Sequence, residues 1–456
     1  MKNRVISRVG IAVVLLLLVG LVGCVMPDQP SSQPPENTYS TGDLLANLDA
    51  LQGPSARSLS VVGKSVFTLP GGGQLSTQDL ASYLSAIKTN FANYASSLTR
   101  GSPYLVTAVK LSWGGSNSGL MWVPFTWFHS ASFPVISYQH GTQVYRPIAP
   151  SRFDVNPLDV FSSPDQMGAL QNYVECVVGA LMASAGSIVV MPDYQGFGDS
   201  GVTHPYVTAT LGDSVTGAVA AAQAALARSV VKPKARLFLT GYSEGGYATM
   251  AAARAFGGAV TATVACDGPY DLSGTMVQQM LSTTQAPKVP WYLLYTASGF
   301  NAAYGIDLPS LINATWFPKL SLFDGTHTNP QIDTAVPAGT FPSDMLTPGA
   351  LSDLSAGTGI VFGTLEANDG WVGWTPRSPV VLVHCPQDDV VPVANRDVAV
   401  AQFQEEGVGV AALVKTIDVQ PVTFIESLLG STHVAAYPTA MLAAFTAIHT
   451  IDLSTP

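Results

Sequence analysis

Three observations in this 456-residue chain predict a doubly wound α/β architecture with a mostly parallel sheet. From about residue 103 onward, short β-rich runs alternate with Ala-rich helical stretches, the pattern left by strands joined through crossover helices. Several later runs are apolar throughout instead of alternating, as expected for strands covered on both faces. One of them, Arg236–Thr240, passes through a glycine-rich turn directly into a helical stretch.

The strands are expected at Tyr104–Leu111, Leu120–Phe128, Pro134–Gln139, Ser187–Met191, Arg236–Thr240, Thr261–Cys266, Val380–His384 and Val414–Ile417. Helices are expected at 168–184, 209–229, 244–256, 393–405 and 434–449. An earlier helix opens at Ser76 with Asp79, because Leu80, Tyr83, Leu84, Ile87, Phe91, Tyr94 and Leu98 recur at steps of three and four. Residues 269–377 break the alternation with Pro, Gly and Thr. A structureless loop of that length is improbable, so the segment reads as an inserted cap. The resulting division is 1–23 signal peptide, 24–45 tether, 46–102 N-terminal helical segment, 103–268 and 378–450 core, and 269–377 cap.

Composition narrows the function classes. The chain is 47% hydrophobic and 11% charged, against a usual charged fraction of about 25%, which argues against disorder. Twenty basic against 30 acidic residues, with no basic stripe, make nucleic acid a poor partner. Four cysteines cannot hold a chain this long as a disulfide scaffold. Only residues 10–23 form a long uninterrupted apolar run, shorter than the roughly 20 residues of a membrane span. Lys2, Arg4 and Arg8 precede it, as in an export signal. The run ends in Leu21-Val22-Gly23-Cys24, which resembles a bacterial lipobox. That resemblance implies cleavage before Cys24, lipidation of its thiol and a lipid anchor in the membrane. Val25 in place of Asp implies the outer membrane or cell surface over the inner membrane. Residues 25–42, with four Pro among polar residues, read as a semi-extended tether.

The chemistry concentrates after strand ends. Gly241-Tyr242-Ser243-Glu244-Gly245-Gly246 is a G-x-S-x-G string between a strand and a helix. A serine on such a turn needs small neighbours, and its hydroxyl projects above the sheet. The helix start behind it, with the Glu244 N–H, can stabilise an oxyanion. A serine hydroxyl is a poor nucleophile until a base, itself held by an acid, takes its proton. Val380–His384 runs into Cys385-Pro386-Gln387-Asp388-Asp389, placing two carboxylates just past a strand's C-terminal end. Of the seven histidines, only His433 and His449 follow them. His449 lies late in an apolar helical stretch, whereas His433 sits after the last strand at a helix start, where a base is needed. The strand Pro134–Gln139 ends in His140-Gly141-Thr142, and Gly lets the backbone approach a substrate there. Thr142 is the expected second oxyanion donor, with Gly141 and Gln143 as close alternatives. His140 is expected to brace the loop. The string Gly196-Phe197-Gly198-Asp199-Ser200-Gly201 matches a dinucleotide fingerprint, but Pro192 breaks the chain before it and no helix is expected to open at the third Gly. Neither a cofactor nor a metal is expected, since the chain has no HExxH and no paired CxxC.

Taken together, these segments resemble the α/β-hydrolases and, within them, the secretory lipases and related bacterial lipase-like esterases. The matching pieces are SYQHGT (137–142), PDYQGFGDSG with HPY (192–206), GYSEGG (241–246), ACDGPYDLSG (265–274) and WTPRSPVVLVHCPQDDVVPVAN (374–395). They cover roughly 103–277 and 374–450. The resemblance implies an α/β-hydrolase fold with an inserted cap and hydrolysis of carboxylic esters through an acyl-enzyme, the substrate being a small-molecule or lipid ester. In the family stretch H-G-x-x-D-x-x-V-P it assigns the acid to Asp388 and leaves Asp389 as a neighbour, with Cys385 standing where Gly is usual. The order Ser243, Asp388, His433 is the one the fold implies. Asp193 with the following glycines resembles the D-x-x-G-x-G-x-S turn of the same fold. In the implied sheet order the strands ending at Cys266 and Cys385 are neighbours, which allows a disulfide between them and leaves Cys176 unpaired. The cap holds four of the seven Trp (Trp291, Trp316, Trp371, Trp374), the run Trp291-Tyr292-Leu293-Leu294-Tyr295 and few charges, so these residues either line an acyl or aromatic site or pack the cap on the core. A serine peptidase of the prolyl-peptidase type is the alternative, weakened because the residues before the core are too few for a propeller gate. A non-catalytic surface binding protein is a further alternative.

Overall fold

The computed structural model describes residues 38–39, 67–68, 74–75, 104–126, 130–154, 163–257 and 260–454. The signal peptide, Cys24, most of the tether and the helix expected from Ser76 lie outside the described residues.

The sheet strands are β1 Leu105–Trp113, β2 Asn117–Phe125, β3 Ala131–Gln139, β4 Ile188–Pro192, β5 Val231–Tyr242, β6 Ala262–Cys266, β7 Val380–His384 and β8 Val414–Asp418. They lie in the order β1-β2-β4-β3-β5-β6-β7-β8, parallel from β4 to β8, with β1 and β2 antiparallel at one side. This is the expected α/β-hydrolase architecture. Thr38–Tyr39, inside the expected tether, pairs antiparallel with the free edge of β1.

All eight expected strands form, and their ends shift for local reasons. Gly114 and Gly115 both adopt positive φ and turn β1 into β2, so β2 begins three residues early and ends at Phe125. The β3–β5 ladder extends back to Ala131 and Val231 across an irregularity between Phe133 and Val135, where Pro134 and Pro233 cannot donate to the ladder.

The crossover helices are α1 Gln166–Ser184, α2 Thr208–Leu226 and α3 Glu244–Ala255. The β6–β7 connection is helical, including α4 Tyr292–Tyr304, α5 Pro348–Ala356 and α6 Gly359–Glu366. After β7 come α7 Ala394–Glu405, α8 Thr423–Leu429 and α9 Thr432–Ser454. α9 is long and apolar enough to cross a membrane by composition, but half of that stretch is buried, and it packs on β5, β6 and β7 as a core helix. One cluster packs α1 and α9 on one sheet face. A second joins the β6–β7 connection to Tyr194, Phe197, Tyr206, Leu211 and Tyr247 of the core.

The disulfide allowed by the sequence does not form: Cys266 and Cys385 are free, as is Cys176. Cys266 pairs in register with Val383, so Cys385 lies two residues beyond it. A strand spacing of about 4.8 Å and a rise of about 3.3 Å per residue put the two Cα atoms about 8 Å apart. That exceeds the roughly 7 Å a disulfide tolerates.

Candidate active site

β5 delivers Ser243 at its C-terminal end, and α3 starts at the next residue. Ser243 has φ 61° and ψ −123°, a conformation that costs a non-glycine residue about 1–3 kcal/mol and persists only when its surroundings enforce it. The enforcing contacts are visible. The Ser243 N–H donates to the Cys266 carbonyl at 3.0 Å, and its own carbonyl accepts from the Gly246 and Tyr247 N–H groups. A Cβ on Gly241 would sit 2.5 Å from the Gln139 carbonyl oxygen, and one on Gly245 closer still, so the glycines of the motif are required by contact with β3.

Asp388 follows β7 and His433 stands in the first turn of α9. The Ser243 Oγ–H donates to His433 Nε2 at 2.9 Å, and the His433 Nδ1–H donates to Asp388 Oδ2 at 2.6 Å. The tautomer follows from the partner, because an ionised carboxylate only accepts. Asp388 Oδ1 accepts the Val390 and Val391 N–H groups, both at 2.8 Å. Burial alone would raise the Asp388 carboxyl, but the His433 ring, its hydrogen bond and the Val391 N–H outweigh it and hold Asp388 below the ordinary carboxylate range. Asp389 does something different. Its Oδ1 accepts from the Ser431 hydroxyl at 2.9 Å and the His433 N–H at 3.1 Å, anchoring the start of α9. Tyr242 completes the mount, its hydroxyl donating to the His433 carbonyl at 2.6 Å. The three expected residues thus meet in one hydrogen-bonded series. His449, in the last turns of α9, is no part of it.

Thr142 and Glu244 both line the cavity that Ser243 faces. The Glu244 N–H is the first of α3 and has no acceptor within the helix. Of the alternatives to Thr142, Gly141 is committed, its N–H donating to Glu175 Oε1 at 3.2 Å, and Gln143 does not line the cavity. His140 is fully buried, bonded to the Gly141 carbonyl at 2.7 Å and the Asp193 carbonyl at 3.2 Å, and stacked on Tyr194, as expected of a brace. No helix opens at Gly201; α2 begins at Thr208. Asp193 instead accepts from the Ser118 hydroxyl and the Ser151 N–H, and Ser118 Oγ in turn accepts the Asp199 N–H of the glycine turn.

The cavity lining is aliphatic and includes Leu272, Met276, Ile306, Leu354, Val361 and Leu365, with Tyr292, Tyr295 and Phe300. None of the four tryptophans of residues 269–377 lines it. Trp291 donates to Asp333 at 2.9 Å inside the second cluster, and Trp371 and Trp374 pack beside Tyr270 and Phe403. For the tryptophans packing is the reading realised, whereas Tyr292, Leu293 and Tyr295 of the run that starts at Trp291 line the cavity.

Three side-chain carboxylates were given no role from the sequence. Glu244 joins the core to α4, with its Oε1 3.1 Å from His204 Nε2 and its Oε2 accepting from the Tyr295 hydroxyl at 3.1 Å. Asp267, just past β6, is buried against Asp388. Glu175 lies under the 140–142 loop; its only signal was a lone carboxylate in an apolar helix. Burial raises its carboxyl to about 7, against the Gly141 N–H and Gln171, which favour the charged form. The folded state therefore holds this proton more tightly than the unfolded chain, so stability present at low pH is lost as pH rises from about 4.5 through 7. The full effect is on the order of 3 kcal/mol. Melting temperature should fall from pH 5 to pH 8 in the wild type, and Glu175→Gln should flatten that fall, as differential scanning calorimetry at both pH values would read.

Among the described residues, Asp267, His384 and Asp388 offer three candidate metal-ligand atoms within 4.8 Å. Both Asp388 oxygens already accept protein hydrogen bonds, and the His384 Nε2–H donates to the Val391 carbonyl at 2.9 Å, which leaves Asp267 Oδ2 and His384 Nδ1 as the uncommitted atoms of the set.

Residues 163–259 match the family model of secretory lipase. No match exists among curated proteins. Solved structures do match. A Legionella pneumophila protein assigned as a hydrolase aligns at 23% identity and TM-score 0.62, over 80% of this chain and 96% of its own. The rice cell wall degrading esterase LipA from Xanthomonas oryzae aligns at 19% identity and TM-score 0.60, over 79% and 93%. Candida antarctica lipase A in its closed state aligns at 14% identity and TM-score 0.50, over 71% and 73%. The chain therefore has the α/β-hydrolase fold, and across α1 to α3, the stretch that carries Ser243, it matches the secretory lipases.

Proposed function

We propose that this protein is a serine hydrolase of carboxylic esters. The observation that carries the reading is the Ser243–His433–Asp388 hydrogen-bond series, with distances of 2.9 and 2.6 Å, opening on an aliphatic cavity. Ser243 attacks the ester carbonyl while His433 takes its proton. Asp388 fixes the His433 tautomer and stabilises the imidazolium that forms. The tetrahedral oxyanion accepts from the Glu244 and Thr142 N–H groups. His433 then protonates the departing alcohol, and water repeats the sequence on the acyl-enzyme. Residues 269–377 act as a cap that holds the acyl chain. The match to the secretory lipases supports both the ester substrate and export. Residues 1–23 are then the export signal, and Cys24 carries the lipid that ties the enzyme to the cell envelope.

The lining favours a linear acyl chain over an aromatic acid. p-Nitrophenyl esters from C2 to C16, run beside aminoacyl p-nitroanilides, test this. Ester turnover that rises with chain length before levelling supports it, and turnover of anilides alone favours the peptidase alternative. Leu365→Trp should shift the optimum to shorter chains. Excluding four methylenes at about 0.8 kcal/mol each lowers kcat/KM for the longest good substrate on the order of 100-fold. The C2 ester should be turned over as by the wild type.

A further inference from the structure

We infer that Asp267 is a positioning residue for this site: a buried carboxylic acid that keeps its proton and donates it in a hydrogen bond to Asp388, fixing the orientation of Asp388 and damping its charge. The inference rests on the triad reading above.

Asp267 has φ 44°, in the left-handed region that non-glycine residues rarely occupy, and it is fully buried. Its Oδ1 accepts the Cys385 N–H at 2.8 Å, which fixes the carboxyl across the β6–β7 boundary. Its Oδ2 is buried with no donor facing it. One ligand atom each of Asp267, Asp388 and His384 lie within 4.8 Å of one another.

Two ionised carboxylates in contact inside a protein need a compensating cation. None of the groups facing Asp267 supplies one. Tyr242 faces it from β5, Cys266 from β6, Tyr270 from its own loop, and Cys385 and His384 from β7. Burial lowers His384, and its Nδ1 has no partner, so the ring is neutral. The charge of Arg396 in α7 acts weakly on Asp267, but its guanidinium is hydrogen-bonded to Asp397 and Asp418 and not to either buried carboxyl. One carboxyl must therefore hold a proton. Asp388 takes three N–H donors and stays charged. Burial first, and then the charge of Asp388, push Asp267 well above the carboxylate range.

The proton stays on Asp267 throughout turnover, and no bond to Asp267 is made or broken. By sharing the Asp388 charge, Asp267 weakens the pull of Asp388 on the ring it holds, so loss of Asp267 moves the acid limb of the pH profile upward.

The test is the pH profile of kcat/KM on a p-nitrophenyl ester, with melting temperature and the infrared stretch of protonated carboxyl recorded on the same samples. Asp267→Asn retains a donor to Asp388 and an acceptor for Cys385, so the acid limb should stay within about 0.2 pH units and kcat within about threefold. Asp267→Ala should lower kcat about tenfold or more with KM unchanged, and move the acid limb up by about 0.5–1 unit. At pH 8.5 the wild type should show a protonated-carboxyl band that Asp267→Asn lacks. A downward move of the acid limb in Asp267→Asn, as expected when a negative charge is removed, would overturn the proposal. So would the absence of that band, or wild-type kinetics in Asp267→Ala. The infrared band does not depend on turnover, so it still decides the protonation of Asp267 if Ser243→Ala keeps its activity and the triad reading fails.

Discussion

Replacing Ser243 by alanine lowers kcat on a p-nitrophenyl ester by about 10⁴–10⁶-fold, the range over which loss of a triad nucleophile leaves only binding and oxyanion stabilisation. The loss is chemical, not structural. Alanine keeps the Cβ and the backbone hydrogen bonds that hold the turn at φ 61°, so the melting temperature should stay near that of the wild type. Substrate binding should survive as well, because the aliphatic lining of the cavity does not involve the hydroxyl. Stopped-flow release of p-nitrophenolate from wild type and variant measures the effect. A rate reduced less than tenfold would remove Ser243 from the reaction.

The second large effect separates two adjacent carboxylates. Asp388→Asn should lower kcat about 10⁴-fold, because an amide nitrogen facing His433 Nδ1 favours the tautomer that cannot take the Ser243 proton. Asp389→Asn should lower kcat less than tenfold and cost about 1 kcal/mol of stability, the range for weakening a helix-start acceptor. The contrast follows from geometry: Asp388 Oδ2 bonds the His433 ring, whereas Asp389 Oδ1 bonds the His433 backbone. Steady-state kinetics and thermal melts of the two variants, side by side, check it. Equal losses in kcat would contradict the division of roles.

The sheet and its helices were readable because their signals are local. The strand Val380–His384 is apolar from Val380 to Val383 and begins and ends where expected, since helices cover both faces. Ser243 was readable because close contact between β3 and the turn forces glycine at Gly241 and Gly245, leaving a repeated sequence mark. His433 was reachable by chain order and its place at a helix start. What the sequence did not reveal depends on partners brought in from distant segments. Glu175 meets Gly141 across 34 residues, Glu244 meets Tyr295 across 51, and Asp267 meets Cys385 across 118. A buried carboxylate looks in sequence like a surface one until those partners are known. The tryptophans of the β6–β7 connection pose the same problem, because residue type does not tell which face of a helix meets the core and which meets a cavity. The disulfide that the strand order allowed is ruled out by register, a two-residue offset that strand prediction cannot resolve.

The most direct test of the central claim is to trap the acyl-enzyme analogue. The wild-type protein is incubated with a fluorophosphonate carrying an octyl chain, and the intact mass and the modified peptide are then read by mass spectrometry. One adduct per chain is expected, on Ser243, forming in step with loss of ester turnover. It should be absent from Ser243→Ala and much slower in His433→Ala. An adduct on another residue, or full loss of turnover with Ser243 unmodified, would contradict the account.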